Sequence, residues 1–233
     1  MGGALSRRKL DSGQAGPIIT SIMNKIESGD VSGVACTSGR GRPRQFDPDA
    51  ALVAALKVFW ARGYEGASLS ELTEAMGITR PSLYACFGNK EALFRKALDL
   101  YENSQLVFVR EGLAQPNSRQ AVEDVLRRAL VLLTGGSSHR ACFGVMSAVA
   151  CSTFDESMRT EVIARRAAYD QEFITRFRRA EIEGDLPEGQ TAESMAAYVL
   201  CVLNGLSVMA SSGASHEQLH LVASTALSLW KAN

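Results

Sequence analysis

Ser68 to Phe87 reads SLSELTEAMGITRPSLYACF, and its caps and periods spell two short helices joined by a tight turn. Ser68 is placed to cap the first helix, and Glu71 to return a bond to the Ser68 amide, which makes a capping box. Ala67 and Leu72 stand where a hydrophobic staple packs, and Leu69, Leu72 and Met76 recur at helical spacing. Gly77 stops the helix because it tolerates a left-handed backbone, and Ile78 plugs the turn. Thr79 caps the next helix, whose first turn holds Arg80, Pro81 and Ser82. Proline is harmless there, because first-turn amides have no helical acceptor. Leu83 and Phe87, an i, i+4 pair, face inward, which leaves Arg80, Ser82, Tyr84, Ala85 and Cys86 outward. A short helix presenting Arg, Ser and Tyr from its N-terminal half is what reading a DNA groove requires. A helical hairpin inside any core shares this period, so the flanks decide between the two.

Upstream, Asp47 to Gly63 (DPDAALVAALKVFWARG) forms an amphipathic helix with Leu52, Leu56, Phe59 and Trp60 as its apolar stripe. Asp47 and Asp49 complement its positive end, Pro48 sits in its first turn and Gly63 ends it. Downstream, Asn89 caps a helix that begins Lys90-Glu91-Ala92. A first-turn lysine opposes the helix dipole; it makes sense where a phosphate meets free amides and an ammonium together. Before the first helix lie Arg40, Arg42 and Arg44, alternating with Gly and Pro. Such a non-helical arm suits a narrow minor groove, whose negative potential draws arginine.

From Arg40 to Tyr101 the chain resembles the N-terminal DNA-binding domain of TetR-family transcriptional regulators. The resemblance is carried by Phe59, Gly63-Tyr64, Ser68-Leu69, Leu72, Ala75-Met76-Gly77-Ile78, Ser82-Leu83-Tyr84, Phe87, Lys90-Glu91 and Leu93-Phe94. It implies phosphate contacts at Tyr84 and Lys90 and base reading from the face of Arg80 and Ser82. The wider DNA surface is then Arg40, Arg42, Arg44, Ser68, Thr79, Arg80, Pro81, Ser82, Tyr84, Ala85 and Lys90. Ala85-Cys86 departs from the bulky His or Tyr pair common in that family; Ala still touches a thymine methyl, but less phosphate contact remains.

The 233 residues carry no net charge, yet they divide unevenly. Residues 1–96 hold 13 Lys and Arg against 9 Asp and Glu, a net +4, and residues 97–233 hold 12 against 16, a net −4. The basic half is the half with the motif, as expected of a DNA-binding head on an acidic body. The expected division is a flexible extension over 1–38, the head over 39–100 and a ligand-binding and dimerisation body over 101–233. Five widely spaced cysteines, an odd number, favour reduced thiols in a cytoplasm over a disulfide framework.

Beyond Lys90 every segment reads helical: Lys90 to about Glu111, Ser118–Thr134, about Phe143–Cys151, Asp155–Glu183, about Ala192–Ser211 and Ser215–Lys231. With three in the head this is an all-α fold of about nine helices, with no convincing strand. Ser194 to His216 is free of charge, but Asn204, Gly205 and Ser207 interrupt it and no Lys or Arg flanks it, so it reads as buried rather than membrane-spanning. The resemblance implies that the last two helices pair with their copies in a homodimer, so that two recognition helices meet the two halves of a palindromic operator. It also implies a small-molecule effector in the body, with Phe108, Phe143, Met146, Tyr169 and Phe173 as lining, alongside Phe154 and Phe177. The expected function is a ligand-responsive repressor, with no cofactor and no catalytic residue. Two other readings compete. Cys86, Cys142 and Cys151 fit a thiol-based redox sensor, and His216-Glu217-Gln218-Leu219-His220 is a literal H-E-x-x-H zinc-peptidase motif. The motif lacks a third ligand nearby: no His, Cys, Asp or Glu follows His220.

Overall fold

The computed structural model describes residues 46–105, 107–134 and 156–230, apart from the side chains of Ser104, Gln105 and Phe108. The described residues form helices and connecting turns without a strand. The helices are α1 (Pro48–Gly66), α2 (Leu69–Ala75), α3 (Arg80–Phe87), α4 (Lys90–Gln105), α5 (Val107–Leu113), α6 (Ser118–Thr134), α7 (Glu156–Ile182), α8 (Ala192–Ser211) and α9 (His216–Leu227). The extension over 1–38, the arginine arm and the expected helix near Phe143–Cys151 lie outside the described residues.

Local chemistry sets the boundaries. The Asp47 carboxylate accepts from the amides of Asp49 at 2.9 Å and Ala50 at 3.4 Å, which opens α1. Within α1 the backbone breaks from helical geometry at Gly63, φ +71°. That left-handed value is cheap for glycine alone, so the expected stop at Gly63 survives as a kink followed by one more turn. The last helix ends at Leu227, short of the expected Lys231, yet Trp230 beyond it is still buried. Its indole Nε1 donates to the Ser118 hydroxyl at 2.8 Å. Ser118 in turn donates through its amide and its hydroxyl to the carboxylate and carbonyl of Asp185. One buried serine thus ties the start of α6, the α7–α8 turn and the end of α9.

Two apolar cores result. Leu52, Leu56, Phe59, Leu72, Leu83, Phe87, Phe94 and Tyr101 form the first, where α4 packs on α1. Leu126, Leu130, Phe173, Phe177, Val199 and Leu206 belong to the second, where α8 packs on α7 and α9 on α6. Helix α7 enters both: Met158 and Val162 are buried in the first core, Phe173 and Phe177 in the second. At 27 residues it spans about 40 Å. Each such side chain removed from water contributes about 1.5–3 kcal/mol, so the head is held to the body by packing and not by a linker.

Charge reinforces that junction. Arg95 of α4 pairs with Glu91 at 2.6 Å and with Glu161 of α7. Arg165 of α7 reaches Asp99 at 2.7 Å, Glu102 at 2.8 Å and Glu161 at 2.9 Å. Burial alone would raise the Glu161 pKa, but Arg95 and Arg165 outweigh it and hold the carboxyl below its ordinary range. Glu102 is shifted the other way, because its burial outweighs the pull of Arg165.

Candidate nucleic-acid interface

The capping box expected at Ser68 is present: the Glu71 amide donates to Ser68 Oγ at 3.1 Å and the Ser68 amide to Glu71 Oε2 at 3.2 Å. That backbone bond leads the causes holding the Glu71 carboxyl below its usual pKa. Met76 is buried, Gly77 turns the chain at φ +65°, and the Ile78 amide closes the turn on Thr73 O at 3.0 Å. Thr79 caps α3 by accepting from the Ser82 amide at 3.4 Å, and the two hydroxyls lie 3.0 Å apart. Leu83 and Phe87 anchor α3 in the head core. Their burial turns Arg80, Pro81, Tyr84 and Ala85 to solvent, with Tyr84 51% exposed, while Ser82 and Cys86 are half-buried.

Two cations on this surface are held in place. Arg80 Nη2 donates to Ser70 Oγ of α2 at 2.8 Å, so its guanidinium lies across the α2–α3 junction. Lys90 Nζ stands 4.5 Å from the centre of the Tyr64 ring. Tyr64 is fixed by an edge contact with Phe94 at 5.0 Å and lies near-parallel to Phe59 at 6.3 Å. The aromatic face stabilises the ammonium that the helix dipole opposes. It leaves Lys90 at the opening of α4, where Asn89 accepts from the Ala92 amide at 2.8 Å. Sequence reading did not assign roles to Ser70 or Tyr64. In the sequence Tyr64 is only one of the residues that carry the family resemblance, and nothing in spacing links it to residue 90. Between α2 and α3 lies a crevice of about 510 Å³, bordered by Phe46, Ser70, Glu74, Ile78 and Ser82.

Comparison with known proteins accounts for this geometry. Residues 51–97 match the family model for bacterial regulatory proteins of the tetR family. The chain is 32% identical over 197 residues to the HTH-type transcriptional repressor ComR of Escherichia coli strain K12, covering 82% of this chain and 92% of that one. It is 30% identical over 192 residues to the repressor BdcR of the same strain, covering 80% and 90%. The chain belongs to the TetR family. Among solved structures, a cysteine mutant of the TetR-family regulator CifR complexed with 26-bp operator DNA is 42% identical, with a TM-score of 0.75. It covers 81% of this chain and all of its own. As a TetR-family member the chain is a DNA-binding transcriptional regulator with an all-α fold.

The body residues singled out from sequence divide. Phe173 and Phe177 are fully buried, and Tyr169 packs edge-on to Phe173 at 5.3 Å with the Arg166 guanidinium 5.2 Å from its ring centre. Phe143, Met146, Phe154 and the side chain of Phe108 lie outside the described residues, as do Arg40, Arg42 and Arg44. The reduced-thiol expectation needs one correction: Cys86 is disulfide-bonded, whereas Cys201 is a free, exposed thiol. Spacing along the chain does not reveal which sulfurs approach within bonding distance in space.

The His216–His220 pair occupies the first two turns of α9, its rings 4.3 Å apart. Burial, and then the neighbouring His216, lower the His220 pKa below the ordinary imidazole value. Among the described residues no three potential metal ligands converge, so the peptidase reading gains no third ligand there. Helix α8 is long and apolar enough to cross a membrane, by length and composition alone. It packs against α6, α7 and α9, and Ala197, Cys201, Gly205 and Val208 stay exposed along one stripe. On α9, Leu221 is 66% exposed.

Proposed function

We propose that this protein is a ligand-responsive repressor that occupies a palindromic operator as a homodimer in the cytoplasm. The observation that carries the reading is the outward face of α3. Arg80 and Ser82 stand ready for base edges, with Tyr84 and Lys90 for phosphate, on a helix whose inner face is fully anchored. Ser68, Thr79, Pro81 and Ala85 complete the surface, and Arg40, Arg42 and Arg44 extend it into the minor groove. The division into an extension, a head from 39 to 100 and a body beyond it follows the charge split and the two cores. The exposed stripe of α8, with Leu221 of α9, supports pairing with a second copy, because an apolar helical face is stable only when covered. Effector binding among body aromatics such as Tyr169 and Phe173 reaches the head through α7, which has buried side chains in both cores. A shift of α7 changes the spacing of the two heads and so the population able to span both half-sites.

The test is fluorescence anisotropy of the purified protein against DNA from upstream of its own gene and a scrambled duplex, at low and moderate salt. A preference of about a thousandfold or more with a steep salt slope is the expected result. Weak and equal binding to every fragment in a genome-wide selection would remove the reading.

A second reading, redox control, is favoured by one observation: the disulfide-bonded Cys86 lies on α3 itself. Reduction then changes operator affinity, and Cys86→Ser abolishes the difference between reduced and oxidised protein. Equal affinity in both states ends this reading.

A further inference from the structure

The H-E-x-x-H segment is not absorbed by a DNA-binding regulator, yet its two histidines are arranged for ligation. His216 and His220 are one turn apart on α9, so their side chains leave the helix on one face. Their ring centres are 4.3 Å apart and the planes cross at 71°. A tetrahedral metal bound at about 2.0–2.1 Å to one nitrogen of each ring holds the ring centres about 5 Å apart. The rings therefore need to part by less than about 1 Å, within the freedom of their side-chain torsions. His220 is half-buried while His216 is exposed, so the first is the more restrained ligand and the second is free to close on an ion from solvent. Helix α9 opens with a capping box: Ser215 Oγ accepts from the Gln218 amide at 3.2 Å, and the Ser215 amide donates to Gln218 Oε1 at 2.8 Å. The backbone carrying both imidazoles is thereby set before any ion arrives. Glu217, exposed in the same turn, offsets the positive end of the helix dipole that a cation would meet.

We infer that His216 and His220 form a two-imidazole chelate for a borderline divalent cation of the zinc and nickel class, with water in the remaining positions. Imidazole nitrogen suits those ions and not magnesium or calcium, which require oxygen ligands. Among the described residues no third protein ligand joins the pair, so the site clamps the first two turns of α9 and is not built to activate water for hydrolysis. It stands apart from the DNA surface and does not depend on the repressor reading.

The experiment is isothermal titration of the reduced full-length protein with Zn²⁺, repeated with Ni²⁺, on the wild type and on His216→Asn, His220→Asn and His139→Asn. The chain holds three histidines, so these variants cover every imidazole. Expected are about one ion per chain, a loss of tenfold or more in affinity for either His216→Asn or His220→Asn, and no change for His139→Asn. Far-UV circular dichroism checks that each variant is folded, and Co²⁺ loading reports nitrogen coordination by the absence of a thiolate charge-transfer band. The inference is overturned by wild-type protein that takes up no ion, by His216→Asn and His220→Asn binding as the wild type does, or by a thiolate band on Co²⁺.

Discussion

At the scale of single residues, Arg80 and Lys90 are both outward cations but are held differently, and this sets different expectations for their loss. Arg80 is tethered by one hydrogen bond to Ser70, so exchanging that bond for a base edge costs little. Arg80→Ala is expected to weaken the operator complex by about 1–3 kcal/mol and to relax sequence preference. Lys90 sits over Tyr64 at the opening of α4. Lys90→Ala is expected to weaken binding to operator and scrambled DNA alike and to lower the salt slope by about 1. Anisotropy across a salt series on both duplexes separates the two, and equal losses from Arg80→Ala on both duplexes would remove it as a base reader. Tyr64→Leu is expected to act in the same direction as Lys90→Ala but less, since a cation–π contact at an exposed site is worth about 0.5–1 kcal/mol. Of these partners the sequence revealed the cations, through their place in the motif, but not Ser70 or Tyr64. Both roles arise from residues brought together across helix boundaries, which no period along the chain records.

At the scale of elements, caps and turns were the readable part. Ser68, Glu71, Gly77 and Thr79 act over three or four residues, so their chemistry is complete within the quoted stretch, and the structure has it as expected. The long helix α7 shows where that reading stops. Met158, Val162, Tyr169, Phe173 and Phe177 form one continuous inward stripe, yet its first two members are buried in the head core and Phe173 and Phe177 in the body core. Periodicity states that a face is buried and not against what. The Glu161 pair with Arg95 is equally long-range, Arg165 joins it from the next turn of α7, and the cluster carries a pH signature. The folded-state pKa of Glu161 lies below its unfolded value. Its contribution to stability is therefore present above the ordinary carboxylate range and is lost as pH falls through the depressed folded value. Thermal melts of wild type and Glu161→Gln are expected to differ near pH 7 and to converge on acidification below about pH 4. A gap that stays constant through that range would mean that Glu161 stabilises by packing alone.

At the scale of the whole molecule, one chain offers one α3, and a palindromic operator offers two half-sites about one helical turn apart. The face available to join two copies is set by what the body core leaves over. Val199, Leu206 and Ala210 of α8 are buried within the chain, whereas Ala197, Cys201, Gly205 and Val208 are not. Gly205 meets no atom within 4 Å of where a Cβ would stand, so a neighbouring helix has room to approach its backbone closely. A stable pairing needs about 1,200 Å² or more of buried surface, which the exposed stripe of α8 and Leu221 of α9 would share. Charge placed on that stripe acts against association without entering the folded core. Val208→Glu combined with Leu221→Glu is thus expected to convert a dimer to a monomer in light scattering while leaving the helical circular dichroism unchanged. Operator affinity is expected to fall at least a hundredfold on the full palindrome, with binding to a single half-site unchanged, because the two heads no longer share one binding event. A variant that remains dimeric would move the interface off this face. A monomer that keeps full operator affinity would mean that one head suffices, and it would remove the paired-site mechanism by which an effector in the body is proposed to release DNA.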